Sequence, residues 1–162
     1  MSDKSDDQAL AEARQRIDTL DQQIQSLIAE RAGVALDVAQ IKQAQQRTDF
    51  YRPEREADVL RRVAERNEGP LDNATITRLM REVMSACLAL ESPLKVAYLG
   101  PEGTYTQAAV YKHFGHSVRA LPLPAIDEIF REVEAGNADF GVVPVENSTE
   151  GVVSHTLDQL VG

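Results

Sequence analysis

The N-terminal third of the chain has apolar residues at alternating steps of three and four, which places their side chains on one face of an α-helix. Nine residues follow this pattern: Leu10, Ala13, Ile17, Leu20, Ile24, Leu27, Val34, Val38 and Ile41. One step of seven residues, across position 31, interrupts it. The pattern predicts one helix of roughly 35 residues, and so long a helix needs partners to cover its apolar face.

Two shorter helices are predicted downstream. The second helix begins near Pro53, a residue that suits a first helical turn, and stops at "NEGP". Either Asp72 or Asn73 can cap the third, which ends at Glu91. Its apolar stripe consists of Ile76, Leu79, Met80, Val83 and Cys87. Because the first helix projects beyond the two shorter ones, we expect a homodimer.

Charged residues occupy positions in these apolar stripes. Arg31 lies in the stripe of the first helix, and Lys42 returns to nearly the same direction three turns later. Glu56 lies one turn before the apolar residues of the second helix, and Glu91 ends the stripe of the third. Each one alone is explained by snorkelling or by a place at a helix end. Together they predict a pocket for a compact dianion with hydroxyl or ether groups, since buried charges need partners.

The pattern changes after about residue 92. The stretch "ESPLK" is predicted to be a linker, and short apolar runs such as "VAYLG" and "GVVPVE" then alternate with helical stretches. This alternation is typical of an α/β fold. The chain is therefore predicted to contain an all-helical domain, residues 1–92, and an α/β part, residues 93–162.

Two loops of the α/β part contain candidate ligand-binding groups. The glycines of "GPEGTYTQ" permit a tight turn after a strand, and Thr104 or Thr106 can cap the next helix, leaving N–H groups for a carboxylate. The stretch "VENSTEG" is predicted to end a buried strand and begin a helix, with Asn147 and Ser148 as caps or ligand contacts. An ordinary strand-to-helix turn would contain the same residues.

Composition and charge exclude several classes of protein. The net charge is −9. Residues 1–92 contain 13 of the 17 basic residues and 17 of the 26 acidic ones. Both halves are therefore acidic, and neither offers the basic surface that nucleic-acid binding needs. No apolar run approaches the ~20 residues that span a bilayer, so we expect a cytoplasmic protein without membrane contact. Cys87 is the single cysteine, and His113, His116 and His155 lack metal-ligand spacing, so no metal is expected.

Longer stretches resemble known families. The run "ARQRIDTLDQQIQSLIAERAGVALDVAQIK" followed by "YRPERE" resembles the all-helical class of chorismate mutase. The runs "VAYLGPEGTYTQAAV" and "GVVPVENSTEGVV" resemble the opening motifs of prephenate dehydratase, in the order found in the bifunctional P-proteins of phenylalanine biosynthesis. The resemblance implies a three-helix chorismate mutase domain in an intertwined dimer, followed by the first part of an α/β prephenate dehydratase lobe.

The same resemblance implies how chorismate, the substrate, is bound and converted to prephenate. Arg31, with Arg14 from the other subunit, binds the two carboxylates, and Lys42 contacts the ether oxygen and a carboxylate. The reaction is a pericyclic rearrangement that needs no nucleophile, metal or cofactor, and negative charge develops on the ether oxygen. Glu91, where some relatives have Gln, can donate a hydrogen bond there only when protonated. Desolvation must raise its pKa against the two nearby cations, and kcat/KM is then expected to rise toward mildly acidic pH.

Further substrate contacts are implied on the second and third helices. Glu56 takes the ring hydroxyl, and Arg55 beside it braces the site. Arg52 lies where some relatives have Asp, which leaves its role open, and Cys87 lies where some have Ser. The implied dehydratase-motif residues are Gly100, Pro101, Gly103, Thr104, Glu146, Asn147 and Ser148.

The dehydratase resemblance is incomplete. The sequence stops at "LDQLVG", before the Thr-Arg-Phe motif and the phenylalanine-binding regulatory domain of that family. We therefore expect mutase activity and little dehydratase activity from these residues. The alternative is a non-enzymatic helical dimerisation module carrying an incomplete ligand-binding lobe, but such a module does not need Arg31, Lys42 and Glu91 to converge.

Overall fold

The structure, a computed structural model, describes the backbone of residues 2–46, 51–147 and 151–152, and the side chains of residues 6–46 and 51–145. Three helices come first: α1 (Ser2–Ala44), α2 (Pro53–Glu65) and α3 (Asn73–Glu91). The predicted long first helix is present, and its 43 residues exceed the expected length. The excess lies at the start of the helix, before Leu10.

Local sequence explains where the two shorter helices begin. Pro53 occupies the first turn of α2, as predicted, and Arg52 precedes it. Asp72 caps α3, because its carboxylate accepts a hydrogen bond from the backbone N–H of Thr75 at 2.6 Å. The structure therefore selects Asp72 over Asn73 as the cap.

The other helices cover only the C-terminal part of α1. Residues 6–30 are all exposed, and Ala39 is the first buried side chain along the described part of the helix. The apolar stripe is uncovered at Ile17, Ile24 and Leu27, each more than half exposed. No helix in the described ranges is long and apolar enough to cross a membrane.

The α/β segment begins with a small parallel sheet. Its elements are β1 (Lys95–Leu99), α4 (Tyr105–Phe114), β2 (Arg119–Leu123), α5 (Ile126–Glu134) and β3 (Phe140–Val142). The strand order is β2-β1-β3, and the central strand is buried on both faces. Val96 and Tyr98 pack against α4, and Ala97 packs against Ile129 of α5. The two helices thus cover opposite faces, as in doubly wound α/β folds.

The prediction that "VENSTEG" begins a helix is wrong. Glu146–Asn147 forms β4, which pairs antiparallel with β5, Gly151–Val152. Asn and Ser are common at helix N-caps, but the same residue types also favour tight turns between strands. Ser148 and His155 lie outside the described residues.

The helical and α/β segments contact each other directly. Gly115, which follows α4, has a φ of +79°, and a Cβ there would lie 2.5 Å from the Ser85 Cβ of α3. Next to it, the backbone N–H of His116 donates to the Glu82 carboxylate at 3.0 Å. A side chain at position 115 would therefore push the two segments apart.

Candidate active site

A cavity of about 440 Å³ lies between the C-terminal half of α1, the start of α2 and the C-terminal half of α3. Its apolar lining includes Val34, Val38, Met84 and Leu88. Seven of the eight residues predicted for chorismate binding and catalysis also line it: Arg31, Lys42, Arg52, Arg55, Glu56, Cys87 and Glu91. The structure thus brings charges from three helices around one partly apolar space.

Helix geometry explains why these side chains meet. Arg31 and Lys42 are three turns apart on α1 and point in nearly the same direction, about 16 Å apart along the axis. Cys87 and Glu91 are one turn apart on the facing helix, α3. The start of α2 and the residue before it supply the remaining charged groups of the cavity lining.

Glu91 is placed beside a cation in a partly desolvated position. Burial raises the pKa of the Glu91 carboxyl above its usual value, while Lys42 opposes the change by favouring the charged form. The carboxyl therefore keeps its proton to a higher pH than an exposed glutamate does. A protonated carboxyl can donate a hydrogen bond, which an ionised one cannot.

Glu56 has two neighbours that are not among the residues predicted from sequence, Arg81 and Tyr51. Its side chain is 15% exposed, and the Arg81 Nε lies 3.6 Å from the Glu56 Oε1. The phenol of Tyr51 lies beside Glu56. Burial and the neighbouring Glu56 raise the pKa of Tyr51 to about 12, so the phenol keeps its proton at neutral pH and can donate to the carboxylate.

Arg14 is the predicted site residue that the structure does not bring into the cavity. Its side chain is exposed on α1, 17 residues before Arg31, which corresponds to about 25 Å along the helix. It cannot reach the cavity of its own chain. A role in substrate binding therefore requires a second copy.

The chemistry of the cavity suits a small anion with hydroxyl groups. Guanidinium and ammonium groups can bind carboxylates, the apolar residues can contact a ring, and Glu56 can accept from a hydroxyl. Within the part of the chain that the structure describes, no three His, Cys, Asp or Glu side chains are grouped to hold a metal ion.

The two dehydratase motifs lie at one edge of the parallel sheet. Tyr98 of β1 is in register with Val142 of β3, so the loops after both strands leave from the same carboxyl edge. Such an edge, where crossover connections diverge, is where doubly wound sheets bind ligands. Gly100 and Gly103 belong to the first loop, and the residues preceding Glu146 belong to the second.

Thr104, one of the two predicted caps, is the N-cap of α4, whereas Thr106 lies inside the helix. The Thr104 Oγ1 accepts from the Gln107 N–H at 3.4 Å, and the Gln107 Oε1 accepts from the Gly103 N–H at 2.6 Å. These reciprocal bonds occupy two N–H groups of the turn. Gly103 has a φ of +82°, a conformation that favours glycine.

The fold and the cavity together define the class of the protein. Residues 13–92 match the family described as chorismate mutase type II, and residues 96–162 match the family described as prephenate dehydratase. The chain belongs to these two families in succession, the helical segment to the first and the α/β segment to the second.

Curated relatives combine both families in one protein. A bifunctional chorismate mutase/prephenate dehydratase from Stutzerimonas stutzeri is 62% identical over 152 residues, which cover 91% of this chain and 42% of the relative. One from Pseudomonas aeruginosa is 58% identical over 161 residues, 97% of this chain and 44% of the relative. One from Escherichia coli K12 is 30% identical over 169 aligned positions, 91% of this chain and 42% of the relative. The chain thus spans less than half the length of these relatives.

Proposed function

We propose that the helical segment converts chorismate to prephenate. The observation that carries the proposal is the cavity into which Arg31, Lys42, Glu56 and Glu91 converge from three helices around an apolar lining. The family match over residues 13–92 supports the same activity. The rearrangement needs its substrate held in a reactive conformer with the breaking C–O bond stabilised, and fixed charges achieve both.

Each charge has a proposed role. Arg31 binds a carboxylate, and Lys42 contacts the ether oxygen together with a carboxylate. The protonated Glu91 is the second donor to the ether oxygen as negative charge develops there. Glu56 accepts from the ring hydroxyl, which orients the ring before the reaction.

Three further residues complete the proposed site. Arg55 braces it beside Glu56, while Cys87 forms part of the substrate contact surface at the α3 wall. Arg52, at the start of α2, lies where its guanidinium can add to the positive field that attracts a dianion.

The active form is proposed to be a homodimer in which Arg14 of one chain binds the substrate of the other. The exposed apolar stripe along residues 6–30 of α1 supports this arrangement, because it leaves a long apolar surface uncovered in one chain. Arg14 lies within that stretch. A second copy packed along it would bring Arg14 to a neighbouring cavity.

The deciding experiment is a chorismate-disappearance assay in the ultraviolet with the purified chain. Turnover that saturates with chorismate is the expected result. A non-enzymatic dimerisation module would leave chorismate unchanged beyond its spontaneous rearrangement. The carboxylates and cations of the cavity favour the enzyme, because a dimerisation module has no use for them there.

We also infer that the α/β segment contributes to a prephenate dehydratase site. The observation behind this second function is that "GPEGTYTQ" and the loop after β3 leave from one sheet edge. Phenylpyruvate formation from prephenate tests it. A small amount of product above the spontaneous rate is the expected result, and none above that rate contradicts the inference.

A further inference from the structure

Two side chains contact the Glu56 carboxylate: Tyr51, which itself lines the cavity, and Arg81, which lies outside its lining. The Arg81 Nε lies 3.6 Å from the Glu56 Oε1, and the side chains are 27% and 15% exposed. The Tyr51 phenol lies beside the same carboxylate, where it can donate to it. Because these groups are partly desolvated, their mutual orientation constrains Glu56 more than a surface ion pair would.

Arg81 also binds the α/β segment. Its Nη1 donates to the backbone carbonyl of Lys112 at 3.2 Å. Lys112 lies in the last turn of α4, where carbonyl groups have no partner within the helix. One guanidinium therefore joins α2, α3 and the end of α4.

Tyr51 is attached to the α/β segment through its ring. The ring centroid lies 6.1 Å from that of Phe114 and 5.4 Å from that of Phe140, the latter in an edge-to-face arrangement. Both phenylalanines pack with the core formed by Val96 and Tyr98. The tyrosine thus packs its ring against the α/β core and presents its hydroxyl to Glu56.

We propose that Tyr51 and Arg81 are positioning residues for Glu56, and that the α/β segment, which holds both, fixes the part of the mutase pocket that binds the ring hydroxyl. The inference rests on the proposed mutase function. A hydroxyl contact is present in both the ground state and the transition state, so loosening it raises KM more than it lowers kcat.

The test uses the full chain with two variants that change little else. Tyr51→Phe removes the hydroxyl but keeps the ring, and Arg81→Met removes the guanidinium but keeps a long side chain. Each is expected to raise KM about 3- to 10-fold with kcat within about twofold of wild type. Tyr105→Phe, at a side chain 97% exposed, and Arg78→Met, one turn earlier on α3, are the matched controls.

A third variant tests the contribution of the α/β segment itself. Phe140→Leu shortens the ring contact with Tyr51 while keeping an apolar side chain. It is expected to raise KM in the same way. Phe130→Leu, on α5 at the opposite face of the sheet, is the matched control and should leave KM unchanged.

A double-mutant cycle separates positioning from a general structural effect. In a Glu56→Gln background, Tyr51→Phe should change KM less than about twofold, because both changes act through one carboxylate. An undiminished effect in that background overturns the inference. The inference is also overturned if the wild-type chain is active and the Tyr51 and Arg81 variants have the same KM as their controls.

A wild-type chain without chorismate turnover overturns the proposed function and this inference with it. If Arg81→Met does not fold, the KM of Tyr51→Phe relative to its control decides whether the inference holds.

Discussion

Lys42 is the residue whose removal should affect the chemical step most. Its ammonium group lines the cavity and is proposed to stabilise charge on the ether oxygen in the transition state. Lys42→Ala is therefore expected to lower kcat about 10²- to 10³-fold while circular dichroism and the thermal midpoint stay close to wild type. Gln43→Ala, at the exposed neighbouring position, is the control. Wild-type turnover by Lys42→Ala would refute the assignment.

Glu91 is expected to set the pH dependence of the reaction. Burial raises the pKa of this carboxyl, with Lys42 opposing the change, and only the protonated form can donate to the ether oxygen. The active fraction thus falls as pH rises through the raised pKa, so kcat/KM should increase from neutral toward mildly acidic pH. Glu91→Gln supplies a permanent N–H donor and should flatten the profile. A profile already flat in the wild type would exclude this role.

Much of the candidate site could be predicted from sequence because helical periodicity fixes which residues share a direction. Arg31 and Lys42 were identified from their place in an apolar stripe, and both line the cavity. Tyr51 and Arg81 could not be identified in this way, because their contacts with Glu56 join different elements. Stripe periodicity gave no signal for Arg81, whereas Tyr51 belongs to the quoted "YRPERE" motif.

At the scale of the elements, the N-cap of α3 makes a testable contribution to stability. The Asp72 carboxylate accepts the Thr75 N–H, and this hydrogen bond lowers the pKa of Asp72 below its usual value. Asp72→Ala should lower Tm by about 2–4 °C at neutral pH. Asp72→Asn keeps a capping oxygen and should lower it less. Equal losses in both variants would contradict the capping role.

The same cap should lose its effect in acid. Because the folded-state pKa is lowered, the stabilisation is fully present above the unfolded-state value, near 4, and is lost as pH falls through the folded-state value. The Tm difference between wild type and Asp72→Ala should therefore shrink below about pH 4. A difference that stays constant down to pH 2 would show that the charge is not involved.

The elements with strong local signals could be predicted from sequence, whereas the short strands β4 and β5 could not. Pro53 and Asp72 mark helix starts through their own backbone chemistry. The strands β4 and β5 have two residues each, and Asn147 of β4 also suits a helix N-cap. Local residue preference does not decide between these outcomes, because a two-residue strand is too short to show the alternation of apolar and polar positions that identifies a strand.

At the scale of the whole molecule, the two segments are joined at the wall of the cavity. The Tyr51 ring packs in the α/β core, and Arg81 binds the end of α4. The sequence alone predicted two parts with a linker between them. The contact of the α/β segment with the surroundings of Glu56 depends on tertiary packing. Sequence periodicity does not predict such a contact.

The proposed exchange of Arg14 between chains can be tested by complementation. Arg14→Ala and Lys42→Ala chains should each be nearly inactive, since every site in either homodimer lacks one cation. If Arg14 acts across the dimer, a mixed dimer contains one site with both changes and one site with neither. Equal mixing followed by subunit exchange should therefore restore about a quarter of the wild-type activity. If Arg14 acts within its own chain, every site keeps one defect, and the mixture stays as inactive as the separate variants.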